Sequence, residues 1–166
     1  MSAEPRIAIY PGSFDPVTLG HEDIARRALA VADRVIVAVA HRASQPKKGL
    51  FDIAERIAMI EEVFRDDDGI EAAEFDGLLV DFARRRGASI LIRGVRDSSD
   101  FEYEFRMALM NRALFPALET VFLAPDVGKS FISASLVREI STLGGDVGEF
   151  VSPIVLDRLR DRHFAG

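Results

Sequence analysis

Short apolar runs alternate along this chain with longer amphipathic segments. The runs are rich in β-branched residues and predict strands at residues 6–10, 35–40, 70–75, 89–92 and 120–123. The first run is expected to stop at Pro11-Gly12. Apolar positions at helical spacing predict helices at about 18–32, 52–64, 78–86, 99–115, 133–143 and 152–163. Asp52 and Glu55 have the spacing of a capping box, which supports the start of the second helix.

Strands separated by helices of this length predict βαβ units and therefore a parallel sheet. We expect an α/β, doubly wound, Rossmann-like fold with five parallel strands, helices on both faces and a helical C-terminus. The length of 166 residues predicts one domain over residues 1–166. Ligands of such sheets bind outside the carboxyl ends of the strands. The segments to search are therefore 11–21, 41–48, 93–96 and 124–135.

Composition excludes several classes of function. The formal net charge is −6, from 21 basic and 27 acidic residues, which argues against nucleic acid as a partner. There is no cysteine, and the three histidines do not have metal-ligand spacing. No apolar run is long enough for a membrane span, and the N-terminus does not resemble a signal peptide. We therefore expect a cytoplasmic protein without a membrane partner.

Two common nucleotide-binding motifs are incomplete. Gly128-Lys129-Ser130 resembles the end of a P-loop, but that motif needs a glycine where the chain has Leu123. No G-x-G-x-x-G follows the first strand. An ordinary kinase or dehydrogenase is therefore not indicated.

The loop after the first strand predicts a phosphate site. Pro11-Gly12 turns the chain, and we expect Gly12 to let a ligand approach the backbone. Thr18 is a good N-cap, which puts His21 in the first turn of a helix. Free N–H groups and the dipole at a helix N-terminus favour phosphate. The alternative is that His21 only fills the helical turn.

The loop after the fourth strand carries two arginines around a glycine. Arg93 and Arg96 can each present a planar fork to an oxyanion. The alternative is that they pair with Asp97 or Asp100. The acidic start of the next helix, which includes Asp100, is open to a simple helix-dipole interpretation as well.

Two further segments are candidates for anion binding. Lys47 and Lys48 follow a Gln-Pro turn, and a solvated lysine pair is the alternative there. The segment 129–135 has three hydroxyls just before a helix, which favours a second phosphate cradle. The alternative is that Ser133 is an ordinary N-cap.

These motifs together resemble a known family. Pro11-Gly-Ser-Phe-Asp-Pro with Thr18-x-Gly20-His21 resembles the T/H-x-G-H signature of the nucleotidyltransferase superfamily, and Ile132-Ser-x-Ser135-x-x-Arg138 resembles its serine-rich signature. Leu91-Ile-Arg-Gly-Val-Arg96, Asp100-Phe-Glu-Tyr-Glu104 and Met110-Asn-Arg112 are similar to the bacterial phosphopantetheine adenylyltransferase family. Members of that family make dephospho-coenzyme A and pyrophosphate from ATP and 4′-phosphopantetheine.

The resemblance implies roles for individual residues. His21 would stabilise the transition state, with Lys47 and Arg96 as the other catalytic residues. The implied contacts to ATP come from Ser13, Phe14, His21, Gly94, Val95, Arg96, Glu104, Lys129, Ser130, Phe131, Ile132, Ser133, Ala134 and Ser135. The implied contacts to 4′-phosphopantetheine come from Ser13, Lys47, Leu79 and Arg93. No metal ligand is implied, and Mg²⁺ would arrive with ATP or pyrophosphate.

The resemblance also implies a homohexamer, a dimer of trimers, with feedback inhibition by coenzyme A. Two rival functions stay open at this stage. A related nucleotidyltransferase would adenylylate nicotinamide mononucleotide or use CTP with a phospho-alcohol, and the motifs around Arg93 and Asp100 argue against both. A nucleotide sensor on the same fold would bind without turnover.

Overall fold

The computed structural model describes residues 4–41 and 49–164, and these form five strands and six α-helices. The strands are β1 (Ile7–Gly12), β2 (Arg34–Ala40), β3 (Ile70–Phe75), β4 (Ile90–Gly94) and β5 (Glu119–Leu123). The helices are α1 (Leu19–Ala28), α2 (Ile53–Val63), α3 (Leu79–Arg85), α4 (Ser98–Leu114), α5 (Ala134–Thr142) and α6 (Pro153–Phe164). A 3₁₀ turn at Val127–Lys129, which the sequence did not indicate, precedes α5. The predicted α/β fold is confirmed.

The sheet is parallel throughout, with the strand order β3-β2-β1-β4-β5. From β1 the chain winds outward through β2 to β3, and then crosses to β4 on the other side of β1. Connections leave β1 and β4 in opposite directions, so a crevice opens between their carboxyl ends. The loops after β1 and β4 are therefore the walls of the expected ligand site.

Apolar side chains on both faces of the sheet make two cores. Alternate residues of β1 and β2 point to opposite faces because strand side chains have a period of two. Ala8 and Val37 join α1, α2, α5 and α6 in one core. Ile9 and Ile36 join α3 and the segment before β5 in the other. Burial on both faces explains why β2 reads as a continuous apolar run.

The predicted end of β1 is wrong. Pro11 and Gly12 continue the strand and lie opposite Ala38 and Val39 of β2. Proline is tolerated there because the pairing of β1 with β4 has already ended at Ile9. The consequence is that the turn into the site begins at Ser13.

The predicted helix starts agree with the observed caps. Thr18 is the N-cap of α1, and Asp52 with Glu55 forms the predicted capping box of α2. Helix α1 ends at Ala28, earlier than the sequence indicated, and the chain turns toward β2. None of the helices in the described residues has the length and apolar character of a membrane span.

Candidate active site

A cleft of about 380 Å³ opens at the crevice between β1 and β4. Its walls come from the loop after β1, the first turn of α1, the end of β4, the start of α4 and the segment before α5. The lining side chains that carry charge are Arg93, Arg96, Asp100, Glu104, Lys129 and Arg138. Four cations and two carboxylates line the described part of the cleft. Its local charge therefore opposes the net negative charge of the chain.

Phe14 shapes the floor of the cleft. Its side chain is 1% exposed, and its backbone has a φ of 45°. A left-handed backbone is costly for an aromatic residue, so the surrounding packing must hold it. A Cβ at Gly12 would lie 3.0 Å from the Phe14 ring. Gly12 therefore makes room for Phe14, rather than only for a ligand as the sequence suggested.

The geometry of His21 fixes its tautomer. The backbone N–H of Thr18 donates to Nδ1 at 3.1 Å, and the Thr18 hydroxyl lies 3.2 Å from the same atom. The ring thus completes a capping box with the N-cap. Because Nδ1 accepts, a neutral ring carries its proton on Nε2. His21 therefore lines the cleft with a neutral N–H donor to offer.

The surroundings keep the His21 ring neutral. Burial lowers the pKa of His21 to about 4, and the charges of Arg96 and Arg93 act in the same direction. The ring packs edge-on against Phe14, with centroids 5.0 Å apart. At neutral pH the free protein thus has an uncharged imidazole beside two guanidinium groups.

Arg93 and Glu104 form a two-point ion pair across the cleft. Arg93 Nε donates to Glu104 Oε2 at 2.7 Å, and Nη2 donates to Oε1. Arg93 Nη1 also donates to the carbonyl of Pro11 at 2.9 Å. Burial opposes the charge on Arg93, but the bonds to Glu104 outweigh it and raise the pKa of the guanidinium. The pair ties β4 and α4 to the end of β1.

Arg96 is held differently. Its Nε donates to Asp100 at 3.2 Å, and its Nη1 donates to the carbonyl of Ile132 at 3.4 Å. The structure therefore shows the alternative interpretation for this arginine, an ion pair with Asp100. Asp97 caps α4 instead, accepting from the backbone of Ser99 and Asp100. Arg96 nevertheless lines the cleft.

Lys129 lies on the opposite wall and contacts α1. Its Nζ is 3.7 Å from Asp23. Burial would raise the pKa of Asp23, but a bond from the backbone N–H of Asp126 and the Arg27 and Lys129 charges keep it below its usual value. Ser133 is the N-cap residue of α5 without a side-chain cap bond, because its hydroxyl bonds that of Ser135 at 2.7 Å. The backbone N–H groups at this helix start are therefore not capped by Ser133.

A second cavity of about 190 Å³ shares Arg93 and Glu104 with the cleft. Its other walls come from β1, β3, α3, β4, α4 and β5, and most of the residues on them are apolar. They are Pro11, Gly12, Phe75, Leu79, Leu91, Tyr103, Met107, Ala108, Asn111 and Thr120. A long ligand with an apolar or amide chain and a phosphate end would fit this combination. The Arg93–Glu104 pair lies where the two spaces meet.

Most of the predicted site residues come together. Those lining the cleft are Ser13, Phe14, His21, Arg93, Gly94, Arg96, Glu104, Lys129, Ile132, Ser133, Ala134 and Ser135, while Leu79 lines the second cavity. Val95, Ser130 and Phe131 are not on either wall; Phe131 is largely exposed. Lys47 lies outside the described residues.

Sequence reasoning missed several residues of the site. Tyr10 lines the cleft from within β1, two residues before the strand ends, and burial raises the pKa of its hydroxyl. Arg138 was noted in the serine-rich motif, and it lines the cleft from α5. Asp15 is buried behind the loop after β1 and contacts Arg56 and Arg138. The signal for Asp15 was present in the Phe-Asp-Pro motif, but its partners are distant in sequence.

Acidic and histidine side chains are spread thinly around the cleft. Within the ranges 4–41 and 49–164, no three histidine, aspartate or glutamate side chains group together closely enough to hold a metal ion. Asp100 and Glu104 line the cleft, and both are paired with arginines. Both cleft carboxylates are thus already engaged by guanidinium groups.

This arrangement defines a class of protein. A doubly wound sheet, a cationic cleft at its crevice and a T-x-G-H turn are those of a nucleotidyltransferase. In agreement, residues 9–140 match the family model described as Cytidylyltransferase-like. The curated relatives then narrow the class to one family.

Two relatives have similar lengths and are both named phosphopantetheine adenylyltransferase. The protein from Aromatoleum aromaticum is 54% identical over 153 residues, which cover 92% of this chain and 93% of the relative. The protein from an Acidovorax species is 52% identical over 153 residues, 92% of each chain. This chain therefore belongs to the phosphopantetheine adenylyltransferase family.

Solved structures support the fold. A bifunctional NMN adenylyltransferase/ADP ribose pyrophosphatase from Francisella tularensis superposes with a TM-score of 0.72 at 16% identity, covering 95% of this chain and 49% of that one. A putative nicotinate-nucleotide adenylyltransferase from Vibrio parahaemolyticus gives 0.65 at 17% identity, covering 93% and 90%. At these identities the likeness concerns the fold alone.

Proposed function

We propose that the chain transfers the adenylyl group of ATP to 4′-phosphopantetheine, giving dephospho-coenzyme A and pyrophosphate in coenzyme A biosynthesis. The family supports this reaction. The observation that carries it at the site is Arg93, which lies between the cationic cleft and the apolar cavity. ATP would occupy the cleft, and the pantetheine chain would extend into the cavity beside Leu79.

The reaction needs no covalent intermediate. An oxygen of the acceptor phosphate attacks the α-phosphorus of ATP, and a new P–O bond forms as the bond to the β-phosphate oxygen breaks. The electron pair of that bond leaves with pyrophosphate. Because the nucleophile belongs to the substrate, the protein supplies positioning and charge stabilisation. Arg93, and Lys47 on the basis of the resemblance, would hold the acceptor phosphate.

His21 is proposed to stabilise the transition state. Its Nε2–H would donate to an oxygen of the α-phosphoryl group while negative charge builds there. The bond from Thr18 to Nδ1 supports this role because it orients the ring and sets the tautomer. Arg96 would add charge at the polyphosphate. The N–H groups at the start of α5, which the Ser133 side chain does not cap, favour the same anion.

Mg²⁺ is proposed to accompany ATP and pyrophosphate. When bound to the polyphosphate, it would supply neutralisation of the leaving group's charge. The two cleft carboxylates, Asp100 and Glu104, are already paired with arginines, which supports a metal carried by the nucleotide. Activity with ATP should therefore require a divalent cation, measured by titrating EDTA against Mg²⁺.

Pyrophosphate release across a panel of substrates tests the proposal. The panel combines ATP or CTP with 4′-phosphopantetheine, nicotinamide mononucleotide and a phospho-alcohol. We expect release with ATP and 4′-phosphopantetheine alone. Release only with nicotinamide mononucleotide, or only with CTP, would assign a related activity. Binding of ATP without turnover on any acceptor would indicate a nucleotide sensor.

The chain is also proposed to assemble as a homohexamer of two trimers. Helix α4 supports an interface because its described residues include no buried side chain, and Phe101, Phe105, Leu109, Met110 and Leu114 are exposed. Sedimentation equilibrium should give six times the mass of one chain, 18.3 kDa. A monomer at micromolar concentration would contradict the assembly.

Coenzyme A is proposed as a feedback inhibitor of the chain. The cytoplasm, where ATP is supplied, is proposed as its location. Coenzyme A contains the adenylate and pantetheine parts of the product. It should therefore occupy both cavities and compete with either substrate. Initial rates at several fixed coenzyme A concentrations measure this competition, and cell fractionation measures the location.

A further inference from the structure

Asp15 is a buried carboxylate behind the loop that carries Ser13 and Phe14, and no step of the proposed reaction uses it. The residue is 4% exposed. Its Oδ2 accepts from the backbone N–H of Leu50 at 2.9 Å, and Oδ1 accepts from that of Phe51 at 2.9 Å. The carboxylate therefore fastens the loop after β1 to the segment that leads into α2.

Arg56 of α2 completes the fastening. Its Nη2 lies 3.4 Å from Asp15 Oδ2, and its Nε donates to the carbonyl of Phe51 at 2.8 Å. Its Nη1 donates to the carbonyl of Ser13 at 3.2 Å. One guanidinium thus contacts a buried charge, the start of α2 and the backbone of a residue implied in contacts to both substrates.

Two neighbours restrict this cluster further. A side chain at Gly49 would collide with Arg56 and Asp15, so the backbone passes directly over the pair. Arg138 of α5 donates to the backbone carbonyl of Asp15 and also lines the cleft. The segment before α2, α2 itself and α5 therefore all contact the loop that carries Ser13 and Phe14. A buried charge with this many partners holds its position because breaking any one contact leaves another group unpaired.

We propose that Asp15 and Arg56 are positioning residues that fix Ser13 and Phe14 for adenylyl transfer. The proposal rests on the proposed function of the cleft. Phe14 has a left-handed backbone, which persists only where the surroundings impose it. Arg56 restrains the backbone just before Phe14 through its bond to the Ser13 carbonyl, and Asp15 restrains the backbone just after Phe14. The pair acts through the loop, and neither residue lines the cleft.

The first test replaces Arg56 and compares turnover with nucleotide binding. In Arg56→Gln we expect kcat to fall by about 10- to 100-fold, because a small displacement of aligned groups is enough for such a loss. The Kd for ATP should change by less than about threefold, since other groups hold the phosphates. Arg56→Lys keeps the positive charge beside Asp15 but loses the planar guanidinium with its several donors. Its kcat should therefore lie between that of Arg56→Gln and that of the unmodified chain.

The matched control is Arg26→Gln. Arg26 forms one ion pair with Glu22 within α1 and another with Asp67, which follows α2, and it is not part of the cleft. We expect this variant to keep kcat within about twofold of the unmodified chain. Equal losses of kcat in Arg26→Gln and Arg56→Gln, at equal losses of stability, would reduce Arg56 to a structural residue and overturn the proposal.

The second test measures the contact between Asp15 and the segment before α2, and it does not depend on catalysis. Amide hydrogen exchange of Leu50 and Phe51 in the free protein should speed up by about tenfold or more in Asp15→Asn, because one acceptor oxygen is lost. Unchanged exchange at both amides would overturn the proposal. A chain that released no pyrophosphate before any substitution would refute the proposed function instead, and the exchange experiment would still test the link between loop and helix.

Discussion

Replacing His21 with glutamine separates two roles of the histidine ring. The ring accepts the Thr18 N–H at the start of α1, and its other nitrogen faces the cleft as a donor. Glutamine at the third helical position is a normal capping-box partner, so it can accept the same N–H. It should not restore an N–H at the place of Nε2. Glutamine keeps two amide N–H groups, but the bond of Oε1 to the Thr18 N–H sets their direction. The substitution therefore keeps the helix start and moves the donor away from the position of Nε2.

The expected losses of kcat and of stability follow from the interactions that each substitution removes. Loss of one donor to charge that develops in a transition state costs about 3–4 kcal/mol, so kcat of His21→Gln should fall by about 10²- to 10³-fold. The Kd for ATP should change only a few-fold, because ground-state binding relies on other groups. His21→Ala should lose a similar factor in kcat. It should also lose about 1 kcal/mol of stability with the cap, and further stability with the contact to Phe14.

Three measurements on each variant decide the outcome. Pyrophosphate release at saturating substrates gives kcat, isothermal titration calorimetry gives the Kd for ATP, and urea unfolding gives the stability. A folded His21→Gln with kcat within tenfold of the unmodified chain would refute the donor role. So would a large loss of ATP affinity with unchanged kcat, because the ring would then act in ground-state binding.

Three further predictions concern protonation, the acceptor and the core. The pKa of His21 is about 4 in the folded protein, against an ordinary value of 6.5 for a solvated histidine. The contribution of this residue to folding stability should therefore be full above pH 6.5 and fall toward pH 4, by at most about 3 kcal/mol. Urea unfolding across this range should show a smaller fall in His21→Gln. In steady-state kinetics, the fold-increase in KM caused by Arg93→Lys should be about ten times larger for 4′-phosphopantetheine than for ATP. The reason is that an ammonium group cannot replace the two-point contact of a guanidinium. Leu159→Ala in the core should lower the free energy of unfolding by about 2–5 kcal/mol, whereas Leu143→Ala, 80% exposed, should change it by less than about 0.5 kcal/mol.

Local features of the fold were predictable because they depend on neighbours in sequence. The capping box at Asp52 and Glu55 involves a spacing of three residues, and the structure shows both of its bonds. Thr18 was predicted as an N-cap for the same reason. The contact that sets the tautomer of His21 has the same spacing, but it was not predicted because the usual capping-box partner at this position is glutamate or glutamine, not histidine.

The strand order was beyond the apolar pattern. Parallel strands that are buried on both faces look alike in sequence, so nothing in β1 or β4 says that they are neighbours. Their adjacency opens the crevice, and the pattern could only indicate which loops lie at that end of the sheet. Asp15 and Arg56 were missed for a related reason. Their contact spans 41 positions and exists only after α2 has packed against the sheet.

Arg93 and Glu104 show most clearly where sequence reasoning stops. Each was implied in binding a different substrate, and the structure bonds them to each other at two points. They are eleven positions apart, and they meet because the short turn between β4 and α4 brings the helix back across the end of the strand. The backbone N–H of Val95 bonds the carbonyl of Leu123 at 3.0 Å and fixes that turn against β5. A phosphate that approaches Arg93 therefore meets a guanidinium already oriented by a carboxylate. Under the proposed function, Glu104 would thus serve the acceptor side of the site, through Arg93, as well as the nucleotide side.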